Sequence, residues 1–364
     1  MLRIKHASFM PRDVCMAMNK KIYPGEVWLD TDGKTIQAHG GSLITVNDTF
    51  YWYGENKEFT HGTDNIWSWG VRAYASKDLA NWKDMGLIIP PNINDKHSPL
   101  HPTAILDRPK IIFNEMTQKY VCWLKIQHTD GTQTATVLSA DDFLGPYEIV
   151  NPGFKPLGMS AGDFDIAIAQ DGRAYYYFER VHSEMICADL NDNYTDVSGY
   201  YSTHFPEKCP PYVREGVAYF ERNSKKYVVT SGTTGYYPNP SMTGMASTWH
   251  GKYDDLGSPH RLDTSETSFH SQVSSVFKVP KKNDLYIALA DRWLPHQMDY
   301  LYSEYCLSFE ERFNPNYSGP PAKQFPNDTR FDISKARYVW LPINFKDEIP
   351  YIDWVDQWSP DDYE

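Results

Sequence analysis

Short apolar runs recur along the chain, and each is followed by a polar turn and a second apolar run with a central tyrosine. The central tyrosines of the second runs are Tyr51, Tyr120, Tyr175, Tyr227 and Tyr286. Asn, Asp or Gly occupies several of the intervening turns, as at residues 47–48, 171–172 and 283–284. Two β-rich runs around such a turn are typical of a β-hairpin. The pattern therefore predicts five hairpins.

The spacing of the hairpins leaves room for two more strands beside each one. Their central tyrosines are 52 to 69 residues apart, which suits the four-stranded blades of a β-propeller. Segments 71–76, 136–139 and 185–188 are candidate outer strands, and 337–343 is expected to complete a blade with an N-terminal strand. No long run of helical period competes with this interpretation. We predict an all-β, five-bladed β-propeller.

The whole chain is expected to form one domain. The 25 prolines and 22 glycines are spread through the turns, and no linker or low-complexity stretch divides residues 1–364. About 41% of the residues are hydrophobic, which is enough for a substantial core. The 26 tyrosines, 17 phenylalanines and 11 tryptophans suit half-buried strands. Those that are exposed would offer flat apolar faces on which sugar rings can lie.

Charge and sequence signals narrow the partners and the location. The chain has 47 acidic against 35 basic residues and a net charge of −12, which argues against a nucleic-acid partner. The five cysteines contain no CxxC pair, so neither a zinc site nor a disulfide framework is predicted. Residues 1–21 lack the apolar core of a secretory signal, and no run is long enough to cross a bilayer. We expect a cytoplasmic protein without a membrane partner, or a secreted one if a leader has been removed.

Polar residues gather at the start of each predicted inner strand. They lie in residues 37–41, 107–109, 163–165, 214–216 and 270–272. The innermost strands of a propeller line its central channel, so the residues that begin them point toward one another. Polar groups at the same position of five blades predict one shared site at one end of the channel.

The carboxylates of these segments suit the cleavage of a glycosidic bond. An inverting glycosidase uses one carboxylic acid to protonate the leaving oxygen and a second group, roughly 6.5–9.5 Å away, to activate water. Glu215 begins an inner strand and is the candidate acid, because burial and a neighbouring carboxylate would raise its pKa. Asp165 is the candidate neighbour that raises this pKa, and Asp163, two residues earlier, is the alternative.

Several short motifs follow one another in an order typical of one enzyme family. They include Gln-Ala-His-Gly-Gly at 37–41, Tyr-Trp-Tyr-Gly-Glu at 51–55, Asp-Arg-Pro-Lys at 107–110, Arg-Glu at 214–215 and Ser-Gly-Thr-Thr-Gly-Tyr at 231–236. Through these motifs the chain resembles glycoside hydrolase family 43, and especially its exo-β-1,3-galactanase-like branch, over roughly residues 37–345. The resemblance implies a five-bladed propeller and an inverting, exo-acting hydrolase of a neutral plant-type glycan such as β-1,3-galactan.

The resemblance also implies roles for individual residues. Glu215 matches the general acid, and Asp165 matches the aspartate that modulates the pKa of this acid. Most of the family has a base aspartate where this chain has residues 38–41, and the galactanase-like branch lacks it. In that branch Gln272 matches a glutamine that positions the attacking water, in one account through an imidic-acid tautomer. Asp107 stands where the branch has glutamate, so its carboxylate is one methylene shorter.

Other residues are candidates for substrate or metal contact. The candidate substrate-binding residues are Asp107, Glu55, His39, Arg108, Tyr236 and Trp293. The 12 histidines contain no HExxH motif, and no catalytic metal is predicted. The resemblance implies a structural calcium ion near His270, held through water, and no required cofactor.

Two other functions stay open from the sequence. The fold also hosts α-L-arabinofuranosidases and β-xylosidases, which act on other sugars. A propeller that binds an oligosaccharide or polysaccharide without cleaving it would also lack the first-blade aspartate. An active enzyme should keep Glu215 and Asp165 in one pocket and should release sugar from an aryl glycoside. The sequence leaves the oligomeric state open.

Overall fold

The paired apolar runs form antiparallel hairpins, and two further strands extend each hairpin outward. The computed structural model describes residues 19–364 except 300 and 327. Within these residues the strands form five separate four-stranded antiparallel sheets. The prediction of an all-β, five-bladed propeller is confirmed.

Each blade takes four strands that are consecutive along the chain. Blade one comprises β1 (His39–Val46), β2 (Thr49–Glu55), β3 (Val71–Ser76) and β4 (Lys83–Ile89). Blade two comprises β5 (Ile105–Asn114), β6 (Lys119–Gln127), β7 (Gln133–Ala140) and β8 (Glu148–Phe154). Blade three comprises β9 (Ala161–Ile168), β10 (Ala174–Arg180), β11 (Glu184–Leu190) and β12 (Val197–His204). Blade four comprises β13 (Arg214–Arg222), β14 (Lys225–Gly232), β15 (Met242–Ala246) and β16 (Asp254–Asp255). Blade five comprises β17 (Gln272–Lys278), β18 (Tyr286–Arg292), β19 (Arg337–Lys346) and β20 (Ile349–Tyr351).

The turn residues form the tight hairpins that the sequence predicts. Asn47 and Asp48, between β1 and β2, have φ values of 49° and 58°. Asn223 and Ser224, between β13 and β14, have φ values of 49° and 63°. Two consecutive residues with positive φ suit the right-handed twist of the flanking strands, and Asn and Asp tolerate this conformation better than most residues.

The ring closes between blades one and five through aromatic packing. The ring centroid of Trp52 is 4.5 Å from those of both Tyr338 and Trp340. The prediction that residues 337–343 pair with an N-terminal strand was wrong, because β19, which contains them, lies between β18 and β20. Ile22, near the N-terminal end of the described residues, forms only an isolated bridge with Trp358. Within residues 19–364, packed side chains therefore close the ring, and no strand from the N-terminal part of this range joins blade five.

Among the described residues, one α-helix interrupts the all-β pattern. Helix α1 (Tyr302–Phe313) lies in the long connection between β18 and β19, and the sequence interpretation omitted it. Apolar or aromatic residues at 302, 305, 306, 309 and 313 carry a helical period that could have revealed it. Short 3₁₀ turns occur at Pro156–Gly158, Asp328–Arg330, Ile333–Lys335 and Pro360–Asp362. No helix in the described part of the chain is long and apolar enough to span a membrane.

Candidate active site

Irregular starts of the inner strands place polar side chains at one end of the channel. Strands β1, β5, β13 and β17 each contain a register shift within their first few residues. Such bulges turn side chains out of the regular alternation and are frequent beside active sites. Gly216 follows Glu215 with a φ of 58°, and a Cβ there would lie 2.6 Å from Ser231 Oγ and 3.0 Å from Gln272 Nε2. Glycine at 216 therefore allows Gln272 to approach the backbone beside Glu215.

Arg108 connects the polar groups of four blades. It is a non-glycine residue with a φ of 56°, in the bulge of β5. Its backbone amide donates to Glu55 Oε1 at 2.9 Å. Its Nη2 donates to Gln272 Oε1 at 2.6 Å and lies 2.9 Å from Asp163 Oδ2. Its Nη1 is buried and has no hydrogen-bond partner among the described residues, so it is a donor available to a ligand.

Two aspartates of the site are held in the ionised form by buried cations. Lys125 Nζ lies 2.8 Å from Asp163 Oδ1 and 3.2 Å from Asp107 Oδ2. Burial alone would raise the pKa of Asp163, but Arg108 and Lys125 together outweigh burial and hold this pKa well below its usual range. Lys125 and Lys57 likewise outweigh burial at Asp107 and lower its pKa. Both carboxylates are therefore charged at neutral pH.

Glu215 is the carboxyl of the site whose pKa is raised well above its usual value. Its side chain is partly exposed and has no hydrogen-bond or ion-pair partner in the part of the chain that the structure describes. Burial, and then the negative charges of Asp163 and Glu179, raise the pKa of Glu215 well above its usual value. A carboxylic acid that keeps its proton at neutral pH and faces a channel can act as a general acid.

Asp165 does not lie beside Glu215. Its Oδ2 accepts from the amide of Tyr219 at 2.8 Å, and its Oδ1 accepts from the amide of Ile166 at 2.9 Å. Tyr219 pairs with Val228 and Glu215 pairs with Ser231, so the two residues are separated by three positions of the neighbouring strand, about 10 Å. Lys110 Nζ is 3.6 Å from Asp165 Oδ1. The carboxylate of Asp165 therefore links blades three and four deeper in the channel. The geometry favours Asp163, the alternative that the sequence left open, as the neighbour of Glu215.

The hydrogen bonds of Gln272 fix the orientation of its amide. Arg108 and Trp293 Nε1 both donate to Oε1, at 2.6 and 3.1 Å, and neither group can accept. Nε2 donates to Ser231 Oγ at 2.8 Å. Both lone pairs of Oε1 are occupied, so only the second N–H of Nε2 remains for a water molecule or substrate.

His39 and Glu55 lie behind the site. His39 is completely buried, with Nδ1 3.0 Å from Asp291 Oδ1, and its ring stacks on Tyr338 at 4.6 Å. Its expected substrate contact is not supported by this position. Glu55 is also buried and forms an ion pair with Lys57 at 2.8 Å, and burial raises its pKa to about 7. Both residues support the groups that face the channel.

Aromatic rings form one wall of the site. Tyr236 lies between Trp67 and Trp293, with ring centroids 5.7 and 4.9 Å away. The hydroxyl of Tyr236 is buried without a hydrogen-bond partner among the described residues. Trp67 Nε1 donates to Asp107 Oδ1 at 2.6 Å. The predicted residues Tyr236, Trp293 and Asp107 therefore come together.

A long connection of blade five, residues 294–336, covers this end of the channel, and we call it the roof. On the blade-one side, the amide of Ile333 donates to the carbonyl oxygen of Thr60 at 2.9 Å. On the blade-four side, Tyr237 Oη donates to the carbonyl oxygen of Pro326 at 3.2 Å. The roof therefore reaches from blade five to blades one and four.

The roof contributes one carboxyl to the site that the sequence prediction did not include. Asp328 Oδ1 accepts from the amide of Tyr236 at 3.2 Å. A Cβ at Gly235 would lie 2.3 Å from Asp328 Oδ2, so glycine is needed for this approach. Burial and the negative charge of Asp107 raise the pKa of Asp328 to about 6. Lys57, Lys125 and Glu179 were also missed, although charged residues in or beside apolar strands are a usable signal.

The surroundings of His270 do not favour a cation. Arg292, a permanent positive charge, donates from Nε to the carbonyl oxygen of His270 at 3.3 Å. The described residues contain no group of three or more His, Cys, Asp or Glu side chains that could hold a metal ion. The implied calcium ion, held through water, stays a prediction.

Comparisons with known proteins identify the family and support the fold. The sequence profile of Glycosyl hydrolases family 43 matches residues 36–307. A family 43 β-1,3-galactosidase of known structure is 27% identical, with 95% of this chain and 64% of that chain covered and a TM-score of 0.76. A second one, solved with galactodeoxynojirimycin, is 25% identical, with 93% and 100% covered and a TM-score of 0.74. An exo-β-1,3-galactanase from Phanerochaete chrysosporium with β-1,3-galactotriose is 24% identical, with 94% and 68% covered and a TM-score of 0.74. No curated protein sequence matches the chain significantly.

Proposed function

The chain belongs to glycosyl hydrolase family 43 and is a glycosidase, and we propose that it is an inverting, exo-acting hydrolase of β-1,3-linked galactosides. The observation that carries the proposal is a pair of carboxyls in a channel that the roof covers: Asp163, whose two oxygens bind Arg108 and Lys125, and Glu215, whose pKa is raised by burial and by the charge of Asp163. The sugar is proposed because two β-1,3-galactosidases of family 43 are 27% and 25% identical to this chain, and two structures of an exo-β-1,3-galactanase are 25% identical.

Glu215 supplies the proton that the departing sugar oxygen needs. Cleavage builds negative charge on this oxygen, and a carboxylic acid within hydrogen-bond reach neutralises that charge as it forms. Asp163 remains ionised throughout, because Arg108 and Lys125 bind both of its oxygens. Its fixed charge keeps Glu215 protonated before the reaction and favours the return of the proton afterwards.

Gln272 orients the attacking water through its free N–H. Oε1 already accepts from Arg108 and Trp293, so an imidic-acid form would place a hydroxyl proton against two donors. The amide form with an oriented N–H is therefore the one that the hydrogen bonds favour. The proton of the water must then pass to a base. Glu55 has a pKa of about 7, which suits proton exchange at neutral pH, but it is buried behind Arg108, so this proton can reach it only through a relay.

The roof favours attack at chain ends. A polysaccharide that passed across the channel would need an open groove, whereas the roof connects blade five to blades one and four over the site. Only a terminal sugar can enter a site that is closed in this way. The product of each turnover is then a monosaccharide.

A substrate screen tests the proposal directly. The protein is incubated with nitrophenyl β-galactoside, α-L-arabinofuranoside and β-xyloside, then with β-1,3-galactan. We expect galactose release from galactan without intermediate oligosaccharides, and proton NMR should first show the α-anomer. Preferential release of arabinose or xylose would replace the galactosidase by one of the alternatives, and a retained β-anomer would indicate a covalent intermediate. Tight binding of galactan without any release would instead favour a non-catalytic carbohydrate-binding propeller.

Replacement of Gln272 by alanine is expected to lower kcat by roughly 10²-fold or more, because the water loses its near-attack geometry. The variant also removes the acceptor of Arg108 Nη2, so Gln272→Glu serves as a matched control that keeps an acceptor in place. Kinetics on β-1,3-galactobiose measure the effect, and thermal unfolding verifies the fold. Unchanged turnover in Gln272→Ala would show that another group orients the water. Glu55→Gln would then be the next variant to test.

A further inference from the structure

A chain of four hydrogen-bonded side chains lies outside the axial site, where blade three meets blade four. Asp189 is on β11, Ser202 and His204 are on β12, and His250 follows β15. Asp189 Oδ1 is 2.6 Å from His250 Nε2, and His250 Nδ1 is 2.8 Å from Ser202 Oγ. Ser202 Oγ is also 2.8 Å from His204 Nε2. Two histidines therefore bind one hydroxyl, and an aspartate from a third segment of the chain binds one of these histidines.

The direction of these hydrogen bonds follows from the chemistry of the groups. A carboxylate oxygen accepts, so the contact with Asp189 assigns an N–H to His250 Nε2, and the single-proton tautomer of the ring leaves Nδ1 as an acceptor. Ser202 then donates its single proton to His250 Nδ1. His204 Nε2 must donate to Ser202 Oγ, because one hydroxyl proton cannot serve both imidazoles. His204 is neutral, since burial lowers its pKa to about 4.

We propose that Ser202 is a nucleophile for the hydrolysis of short acyl esters, with His250 as its general base and Asp189 as the group that orients His250. A nucleophilic serine is defined by a base within hydrogen-bond reach that a third group holds in place, whatever the fold. Both distances lie in the range for such pairs. Here Nδ1 of His250 faces the serine and Nε2 faces the aspartate. Either ring nitrogen of a histidine can act as the general base, and in this arrangement it is Nδ1.

The serine is accessible from solvent. Ser202 and His250 are partly exposed, and β12 is the outermost strand of blade three. The neighbouring Tyr200 is 62% exposed, and its ring centroid is 4.7 Å from that of His250. An open surface with one aromatic neighbour suits an acetyl or similarly short acyl group on a sugar or phenol oxygen.

The reaction is an ordinary acyl transfer in two steps. Ser202 Oγ bonds to the acyl carbon while its proton moves to His250 Nδ1, and the carbonyl electrons move to oxygen. His204 Nε2–H, 2.8 Å from Oγ, is the donor nearest to this oxyanion. The C–O bond to the alcohol then breaks, and the alcohol takes the proton from His250. Water repeats the sequence on the acyl-serine, so ester and water become acid and alcohol.

The experiment uses p-nitrophenyl acetate and a fluorophosphonate probe on the full-length protein. We expect protein-dependent nitrophenol release and one probe per chain, located at Ser202 by peptide mass spectrometry. Ser202→Ala should abolish the labelling, and His250→Gln should slow labelling and ester hydrolysis by about 10²-fold or more, as for loss of a general base.

Ser198→Ala is the matched control. Ser198 is an exposed serine on the same strand, and its hydroxyl has no hydrogen bond to another side chain in the described part of the chain. All three variants should keep the glycosidase activity of the parent, which shows that they are folded. Labelling at another residue, equal ester hydrolysis in Ser202→Ala, or no labelling at all would overturn the proposal.

Discussion

Replacement of Glu215 by glutamine is expected to lower turnover of β-1,3-galactobiose by about 10²- to 10⁴-fold, the usual contribution of a general acid. Glutamine keeps the shape of the side chain but cannot donate the proton. A dinitrophenyl galactoside has a leaving group that needs little protonation, so its turnover should fall much less. Steady-state kinetics on both substrates measure this difference.

The pH profile gives a second readout for the same variant. In the parent enzyme the raised pKa keeps Glu215 protonated through neutral pH, so kcat/KM should fall only as the pH rises through this high value. In Glu215→Gln this basic limb should disappear. Glu221→Gln is the control, because Glu221 is on the same strand and pairs with Lys226 at 2.9 Å. Equal losses on good and poor leaving groups would assign a structural role to Glu215.

The five blades could be predicted because each hairpin carries its own local signal. Alternating apolar residues and turns such as Asn47-Asp48 depend on neighbours in sequence, and a repeated unit makes the signal stronger. The closing blade was harder, because β19 is separated from β18 by the roof. A strand that follows a long insertion looks like an isolated strand, so an N-terminal partner was expected for it.

The sequence predicted where the site residues lie better than it predicted which of them contact one another. Asp163 and Asp165 are two residues apart on β9, so both belong to the same face. The sequence cannot show which one lies level with Glu215, because this depends on the stagger between blades three and four. Lys125 escaped notice for a related reason, since it lies opposite Asp107 on the neighbouring strand. Lys125 is important because it pairs with both Asp107 and Asp163, which are distant from each other in sequence.

Burial distinguishes the residues that support the site from those that face the channel, and the sequence did not reveal this difference. His39 and Glu55 belong to segments that begin or end at the site, and both were predicted to contact substrate. The bulge at Gly40 has a φ of 61°, and a Cβ there would be 2.3 Å from Glu55 Oε1. This close approach packs Glu55 behind Arg108, which then presents its own free Nη1. Which residues face the channel and which lie behind them therefore depends on the backbone conformation at Gly40, and the spacing of residues along the sequence does not reveal this conformation.

Replacement of Asp163 by asparagine is expected to change both stability and the pH profile. Arg108 and Lys125 are buried and share this carboxylate, and removal of one partner from a buried ion pair typically costs about 3–5 kcal/mol. The pKa of Asp163 is lowered in the folded protein, so its stabilisation is complete above the unfolded value of about 3.9. It is lost as the pH falls through the lower, folded value. The difference in unfolding free energy between parent and variant should therefore shrink in acid.

The same variant identifies the neighbour that controls the acid. Loss of the negative charge at 163 lowers the pKa of Glu215, so the basic limb of kcat/KM should move to lower pH. Asp165→Asn is the matched control, because Asp165 binds the amide of Tyr219 deeper in the channel. It should lose stability but leave the basic limb in place. A basic limb that moves in Asp165→Asn and stays in Asp163→Asn would return the pKa-modulating role to Asp165, as the resemblance first implied.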